Sequence, residues 1–574
     1  MRLSPLSTKT SSRSGRKLAG CALALLSLPL LAQAAPPPPT SAGQLQQELE
    51  QRTRAPQPLP ASPAPLAPAA TDTKAPAAQA ETPRLDLKVL AFTGNTVFDA
   101  ATLTQVSGLT LGSKVSLADL QAAAARITDH YRAAGYLVAS AYVPAQEIRD
   151  GHITLGVLEG RLDGVSVNNQ TRLSDKRVQR TLVHRLGQDK PLQTAAVNRD
   201  LLLLRQLPGV GDVQAALAPG QATGSTHLNA DVTAAPRVQG QLSLDNHGNT
   251  YAGEYRLSGL VNVNNLARLG DQLGVSATLA QDNRLNGGRL SWDAPVGYDG
   301  LRLGAAAALT NYELGDDFAD LDAHGKAQTL SLYASYPWIL APTTHVNVDA
   351  SLESRQLEDF MLGNSIADKR IDALLLGLSG DFRDAAWGSA AVTAWRLGLS
   401  AGKLTLDHAN ELADSASGAD RAGNYSKIDV GISREQALPP AGLSLYGALN
   451  AQLAGKNLDS SEKFFLGGPN AVRGYPQGEA GGDTGWLATL ALHYQVRPSL
   501  RLRLFHDQGS VRVDQDPYVN GQDNSRSLGT TGVGFDGQWQ KLTATLDVAW
   551  HGSEEAQTDD DHKPRIWGRL GWRF

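Results

Sequence analysis

The 574-residue chain contains one cysteine, Cys21. It falls in an N-terminal segment expected to be removed, so the mature chain has no thiol. That excludes disulfides, thiolate metal sites and cysteine nucleophiles together. A net positive charge is also lacking. The formal net charge is −5, and the only charged residues among the first 34 (Arg2, Lys9, Arg13, Arg16 and Lys17) are basic, so the mature chain carries about −10. This balance argues against a nucleic-acid binder held by phosphate neutralisation. After residue 34 no apolar run approaches the roughly 18 residues of a spanning helix. If the exported chain resides in a membrane, it must span as a closed barrel, the remaining way to satisfy every backbone hydrogen bond in lipid.

Catalytic and cofactor signatures are missing as well. No HExxH, GxSxG or ATP-binding arrangement is present. Gly532-Val533-Gly534-Phe535-Asp536-Gly537 satisfies G-x-G-x-x-G, but strand-like residues follow where a dinucleotide cradle needs a helix. These glycines are expected to relieve crowding within a strand. Asp320–Gly325 departs from a calcium loop, with His324 at a ligand position and Ser331 where the bidentate glutamate belongs. Asp559-Asp560-Asp561-His562 reads as a solvated loop. Neither an enzyme nor a cofactor or metal site is expected.

What is present divides the chain by composition. A basic stretch to Lys17, the apolar run LAGCALALLSLPLL (18–31) and Ala32-Gln33-Ala34 match a secretory signal over residues 1–34, with cleavage after Ala34. LAGC stands too early in the apolar run to be a lipoprotein cleavage box. Residues 35–54 hold PPPPT and a short polar helix candidate, SAGQLQQELEQRTR, with Leu45 and Glu48-Leu49 as its periodic cue. Residues 55–83 are crowded with Pro and Ala, an extended linker. A helix on a long tether suggests a movable element; an unstructured tail fits the composition equally.

Residues 84–160 open with strand-like LDLKVLAFTGN and continue into a helix on which Leu117, Leu120, Ala124, Ile127 and Tyr131 share a face. Ser116 and Asp119 form a capping box and Gly135 the stop. Strands are expected around Leu137–Val143 and Ile153–Leu158. Residues 161–235 repeat the scheme: a strand at Gly164–Val167, a helix from Ser174 to Gly187, a second through VNRDLLLLRQL, and strands at Val213–Leu217 and His227–Val232. Two small α+β modules in tandem are implied, each short for independent stability.

From residue 236 to 574 the period is two. Val346, Val348, Ala350 and Leu352 alternate with Asn347, Asp349, Ser351 and Glu353, and VQGQLSLDN and LSLYGALNAQL repeat the pattern. Alternation alone also fits a soluble β-sandwich. All nine tryptophans lie in this region, as interfacial girdles require, and polar insertions such as GDDFADLDAHGK and HANELADSASGADRAG alternate with tight connections. The chain ends in IWGRLGWRF, with Ile566, Leu570, Trp572 and Phe574 on one face. At roughly 10 residues per strand plus connections, the region accommodates about 16 strands. In LRLRLFHDQG, Leu500, Leu502 and Leu504 take the lipid face, leaving Arg501, Arg503, Phe505, Asp507 and Gly509 to the lumen.

The order of signal, short helix, Pro-rich linker, two modules and barrel, with "AVRGYPQGE" (471–479) and "FHDQG" (505–509), resembles the outer-membrane transporters of two-partner secretion, the TpsB class of the Omp85 superfamily (FhaC/ShlB-like). GNTVF (94–98), the Ile127–Tyr136 segment, YVPAQEIRDGHITLGVLEG (142–160) and NRDLLLLRQLPGV (198–210) are similar to POTRA signatures. The resemblance implies a membrane β-barrel of about 16 antiparallel strands preceded by two periplasmic α+β POTRA domains and an N-terminal plug helix. It implies an outer-membrane transporter that captures an unfolded TpsA-type exoprotein (adhesin, cytolysin or contact-dependent toxin) and exports it through the pore, among lipid and lipopolysaccharide, after insertion by the barrel-assembly machinery through the terminal Trp572 and Phe574. It further implies that a long loop carrying Val472, Arg473, Gly474 and Tyr475 folds into the barrel, where Arg473 meets Asp507 of the Phe505-x-Asp507-x-Gly509 motif. Read without the resemblance, Arg473 in an external loop would touch only water. An Omp85-type insertase is the alternative function, and it would carry more modules and no plug. A diffusion porin would have neither modules nor the inward loop.

Overall fold

The structure, a computed structural model, describes residues 40–53 (without the last three side chains), 84–186, 190–519, 521 and 523–574. The expected leader, the Pro/Ala-rich linker and the helix stop at Gly187 lie outside the described residues.

Ser116 and Asp119 start the helix Leu117–Ala133 as a closed capping box: Asp119 N donates to Ser116 Oγ, and Ser116 N and Oγ donate to the Asp119 carboxylate. Ala123, Ile127 and Tyr131 pack against Leu155 and Val157 of the strand His152–Leu158, while Leu120 packs with Leu87 and Ile153. Leu117, expected on that face, is exposed at the first position of the helix. The sheet runs Val89–Thr93, His152–Leu158, Ser140–Tyr142, its first pair parallel and its second antiparallel. The strand expected over 137–143 shortens to its last residues, and a helix not read from the sequence, Ala100–Ser107, is capped by Asp99 and ended by Gly108 at φ 65°. Glu159 ties this unit together, accepting from Thr96 N, Val97 N and Tyr131 Oη. Burial pushes its acidity down, but these bonds outweigh it and hold the carboxyl below its usual range.

The second unit has the sheet order Arg161–Asn169, Ser225–Ala234, Val210–Pro219, covered by helices Asp175–Val183 and Thr194–Gln206 around Val178, Leu182, Leu204, Leu228 and Val232. The first helix stops at Val183, earlier than the apolar Leu186 suggests, because Leu186 is buried from a turn. The second helix docks on the barrel. Arg185 grips Asp299 of the turn 296–301 with Nε at 2.8 Å and Nη2 at 3.0 Å, Tyr336 Oη donates to the same carboxylate at 2.6 Å, and Arg199 Nη2 donates to Pro337 O at 2.7 Å. Beside them Asp200 is fully buried. Burial pushes its carboxyl up to about 7, against the Arg185 N–H and the charges of Arg185 and Arg199.

Among the described residues sixteen antiparallel strands, from Val238–Asp245 to Arg565–Arg573, close into a barrel. Closure pairs Asp245 with Arg569 through Gln241 with Arg573, and Phe574 exchanges both backbone bonds with Gly240. Period two is obeyed because one face meets lipid and the other a polar lumen: Leu242, Leu244, Val348, Leu352, Leu502 and Leu504 are exposed outward, while Gln452, Phe505 and Asp507 are buried inward. Connections at the end bearing the two α+β units span two to seven residues; those opposite include the loops 314–323, 407–422 and 455–483. Thr344–Met361 and Asn364–Asp384 exceed the expected strand length, at 18 and 21 residues. Exposed Gln356, Asp368 and Arg370 place their outer ends beyond hydrocarbon. Seven tryptophans are exposed near the barrel rims, but Trp567 is buried and faces inward, so it is no girdle residue. Its parity, one after lipid-facing Ile566, dictates this. No helix among the described residues is long and apolar enough to cross a membrane.

Candidate functional site

The lumen holds two foreign elements, a helix and a loop. The helix Ala42–Thr53 lies against the inner wall: Ala42 and Leu45 join Tyr312, Leu357 and Ile371, and Leu49 packs against them. Ala42 N donates to Asp359 Oδ1 at 2.9 Å, Arg256 Nη1 to Glu48 Oε1 at 2.7 Å, and Thr310 Oγ1 to Gln46. A polar helix with an apolar stripe of Ala42, Leu45 and Leu49 suits such a seat, since the wall offers an apolar cluster flanked by polar side chains. A side chain at Gly43 would overlap Ser461 Cβ of the loop, so the helix backbone packs directly on the Ser461 side chain.

The loop 455–483 leaves the strand Leu443–Ala454 at the far rim and folds back inside. Its first part is pinned by charge: Lys369 Nζ donates to Asp459 at 2.8 Å, and Glu462 is paired with Lys427 at 3.0 Å and with Arg355. A short ribbon, Phe464–Phe465 against Gly481–Gly482, then brackets the tip. At the tip Leu466, Val472 and Tyr475 pack on Leu487, Val511 and Leu528 of the wall.

The structure brings Arg473 and Asp507 together. Arg473 Nε donates to Oδ2 and Nη2 to Oδ1, each at 2.8 Å, a fork that fixes direction as well as distance. Asp507 also accepts from Thr489 Oγ1 at 2.9 Å, and the guanidinium carbon lies 3.3 Å from the Phe505 ring centroid. Gly474 is required because a Cβ there would overlap Thr530 Oγ1 and come within 2.9 Å of His551. Gly509 is favoured because a Cβ there would sit 2.9 Å from the backbone oxygen of Trp486 and 2.6 Å from Leu466 Cδ2 of the loop. Tyr475 Oη reaches Glu554 O at 3.0 Å. Trp572 and Phe574 are not in this site; their rings lie 5.0 Å apart, tilted by 33°, on the outer face of the terminal strand. Gly532 of the rejected nucleotide motif is where the Phe505 ring lies over the neighbouring strand, with no space for a side chain.

Several participants were not singled out from sequence. Trp567 Nε1 donates to Arg473 O at 2.8 Å, and Asp547 Oδ1 stands 3.8 Å from Arg473 Nη1. Glu479, fully buried, accepts from Thr558 N at 2.9 Å and from Gln557 N, and pairs with Arg526, fastening the loop to 552–564. Asp483 accepts from Leu458 N, Gln515 N and Lys463 Nζ. Asp559 and Asp561 of the acidic run are exposed or half-exposed yet engaged, accepting from Thr250 N and facing His551 respectively. Among the described residues no His/Cys/Asp/Glu group has the arrangement of a metal site.

The architecture has known counterparts. A family model described as haemolysin secretion/activation protein ShlB/FhaC/HecB matches residues 224–536, and one for the ShlB-type POTRA domain matches 85–160. The heme/hemopexin transporter protein HuxB of Haemophilus influenzae is 29% identical over 74% of this chain and 76% of its own. The outer membrane transporter CdiB of Dickeya dadantii is 23% identical over 74% and 75%. The solved CdiB of Escherichia coli shares the fold at a TM-score of 0.71, with 18% identity over 92% of this chain and 98% of that one.

Proposed function

Because this chain belongs to the ShlB/FhaC/HecB family of haemolysin secretion/activation proteins, we propose that its Arg473–Asp507 pair is the latch of a two-partner secretion pore. The protein is an outer-membrane transporter whose POTRA region lies in the periplasm, and it exports a secreted partner exoprotein through its barrel. The single observation carrying the latch is the buried bidentate pair between a loop and the lumen wall. An exposed pair contributes about 0–1 kcal/mol, whereas breaking a desolvated one costs about 3–5 kcal/mol. The loop is therefore held firmly while the pair is intact.

The client is an unfolded exoprotein of adhesin, cytolysin or contact-dependent toxin type. The open sheet edge Val89–Thr93 offers an extended chain its unpaired N–H and C=O groups, a contact with little side-chain demand. The client then threads the polar lumen once Ala42–Thr53 has left it, and folding outside supplies the drive, consistent with the missing ATP-binding signature. A heme- or hemopexin-related partner is the first to try, given the resemblance to HuxB. No chemical step is assigned to any residue, and the chain acts as a transporter rather than an enzyme. Insertion by the barrel-assembly machinery engages Trp572 and Phe574, and lipid with lipopolysaccharide contacts the outer face. Co-expression with a large secreted β-helical protein encoded by the adjacent gene tests the reading. Secretion should require both the transporter and residues 84–160, and secretion without residues 84–160 would contradict the capture step.

A further inference from the structure

The latch does not end at Asp507. Asp547 Oδ1, 3.8 Å from Arg473 Nη1, is 3.0 Å from Arg503 Nη2. Arg503 Nη2 is 3.3 Å from Asp536 Oδ1, whose other oxygen is 3.1 Å from Arg501 Nε. Arg501 Nη1 lies 4.0 Å from Glu435 Oε1, which in turn is 3.1 Å from His493 Nδ1. Acid and base thus alternate without a break across lumen-facing positions of five strands. The ladder descends toward the POTRA end, since Arg501 and Glu435 sit next to the short turns 498–499 and 439–442. Side-chain exposure rises along it, from 0% at Asp507 through 15% at Arg503 to 40% at Glu435. Space is made for it: a side chain at Gly534 would overlap Asp547 Oδ1 and lie 2.9 Å from Arg503 Nε.

We propose that this ladder positions Arg473 and relays to it the state of the periplasmic mouth, an inference that rests on the latch reading above. Each inner charge is partnered by the next rung outward, so a group that takes up Glu435 or Arg501 at the mouth weakens the hold on Arg503, then on Asp547, and so on Arg473. An extended polypeptide, with its charged side chains, brings such groups. Arg503 and Asp547 are positioning residues, while the exposed rungs are where entry registers.

The test uses the full chain carrying Cys21→Ser and Val472→Cys, in outer-membrane vesicles, with maleimide labelling of the buried loop thiol as readout. Arg473→Ala should speed labelling strongly. Arg503→Gln should speed it about tenfold, within the range of coupled neighbours, and adding Asp547→Asn, the rung through which Arg503 acts, should speed it little further. Glu435→Gln, remote from the loop, should speed it about threefold by the same coupling. Parental labelling in Glu435→Gln, or in Arg503→Gln, overturns the relay. If Arg473→Ala itself labels at the parental rate, the latch reading fails instead. Each variant is compared as heat-modifiable, folded barrel; should Arg503→Gln not fold, Arg503→Lys, which keeps the charge and loses the fork, takes its place with the same expected direction.

Discussion

Replacing Arg473 by alanine removes two charge-assisted bonds at 2.8 Å and a cation stacked on Phe505, and leaves Asp507 fully buried with Thr489 Oγ1 as its remaining side-chain donor. Stripping one partner from such a pair costs about 3–5 kcal/mol. At about 1.4 kcal/mol per decade, the fraction of molecules with the tip undocked rises by two to more than three orders of magnitude. The loss is local, because the barrel's strand ladders do not involve the loop, and because Glu479 and Asp483 still fasten the loop base. The expected phenotype is a folded, heat-modifiable barrel whose loop becomes protease-sensitive near residue 473 and whose export of the partner falls at least tenfold. Adding Asp507→Asn removes the orphaned charge and should restore protease resistance in part, but not export. A variant Arg473→Ala with an intact loop and normal export would refute the reasoning.

Other expectations follow from the same structure. Gly474→Ala should destabilise loop docking by roughly 1–3 kcal/mol through overlap with Thr530, read by the same proteolysis. Removing residues 40–53 should raise single-channel conductance in planar bilayers while secretion persists; unchanged conductance would show that the helix does not occlude the pore. Burial holds the Asp200 proton up to about pH 7 in the folded state, whereas the unfolded carboxyl loses it near about 4. The unfolded chain therefore binds fewer protons between those values, and stability of the POTRA–barrel junction falls as pH rises across the window. Asp200→Asn should flatten that dependence and raise the thermal midpoint at pH 8, measured by scanning calorimetry.

The barrel was legible because lipid outside and water inside impose one period on every strand, so Leu502, Leu504 and their neighbours declare their face without tertiary information. The capped helix Leu117–Ala133 was legible for a comparable local reason. Ala100–Ser107 was not, since eight residues carry too little periodicity and its markers are the two caps, Asp99 and Gly108. Nothing local says that Arg473 and Asp507, on different elements, meet; the family resemblance supplied that expectation. Asp547, Arg526 and Thr489 depend on strand register and barrel stagger, which alternation does not specify. Trp567 was readable by parity from Ile566, but the even spread of tryptophans over the barrel region suggested a girdle role for all nine. Glu479 stood within the quoted loop motif, and its burial became visible only once 552–564 was seen to close over it.

Neighbouring positions on one strand decide most directly whether the client passes through the lumen. A photo-crosslinking amino acid at Arg501 faces the polar interior, and one at Leu502 faces lipid. With the partner stalled in transit, position 501 is predicted to capture it and position 502 not to; equal capture from both, or capture from 502 alone, would contradict export through this pore.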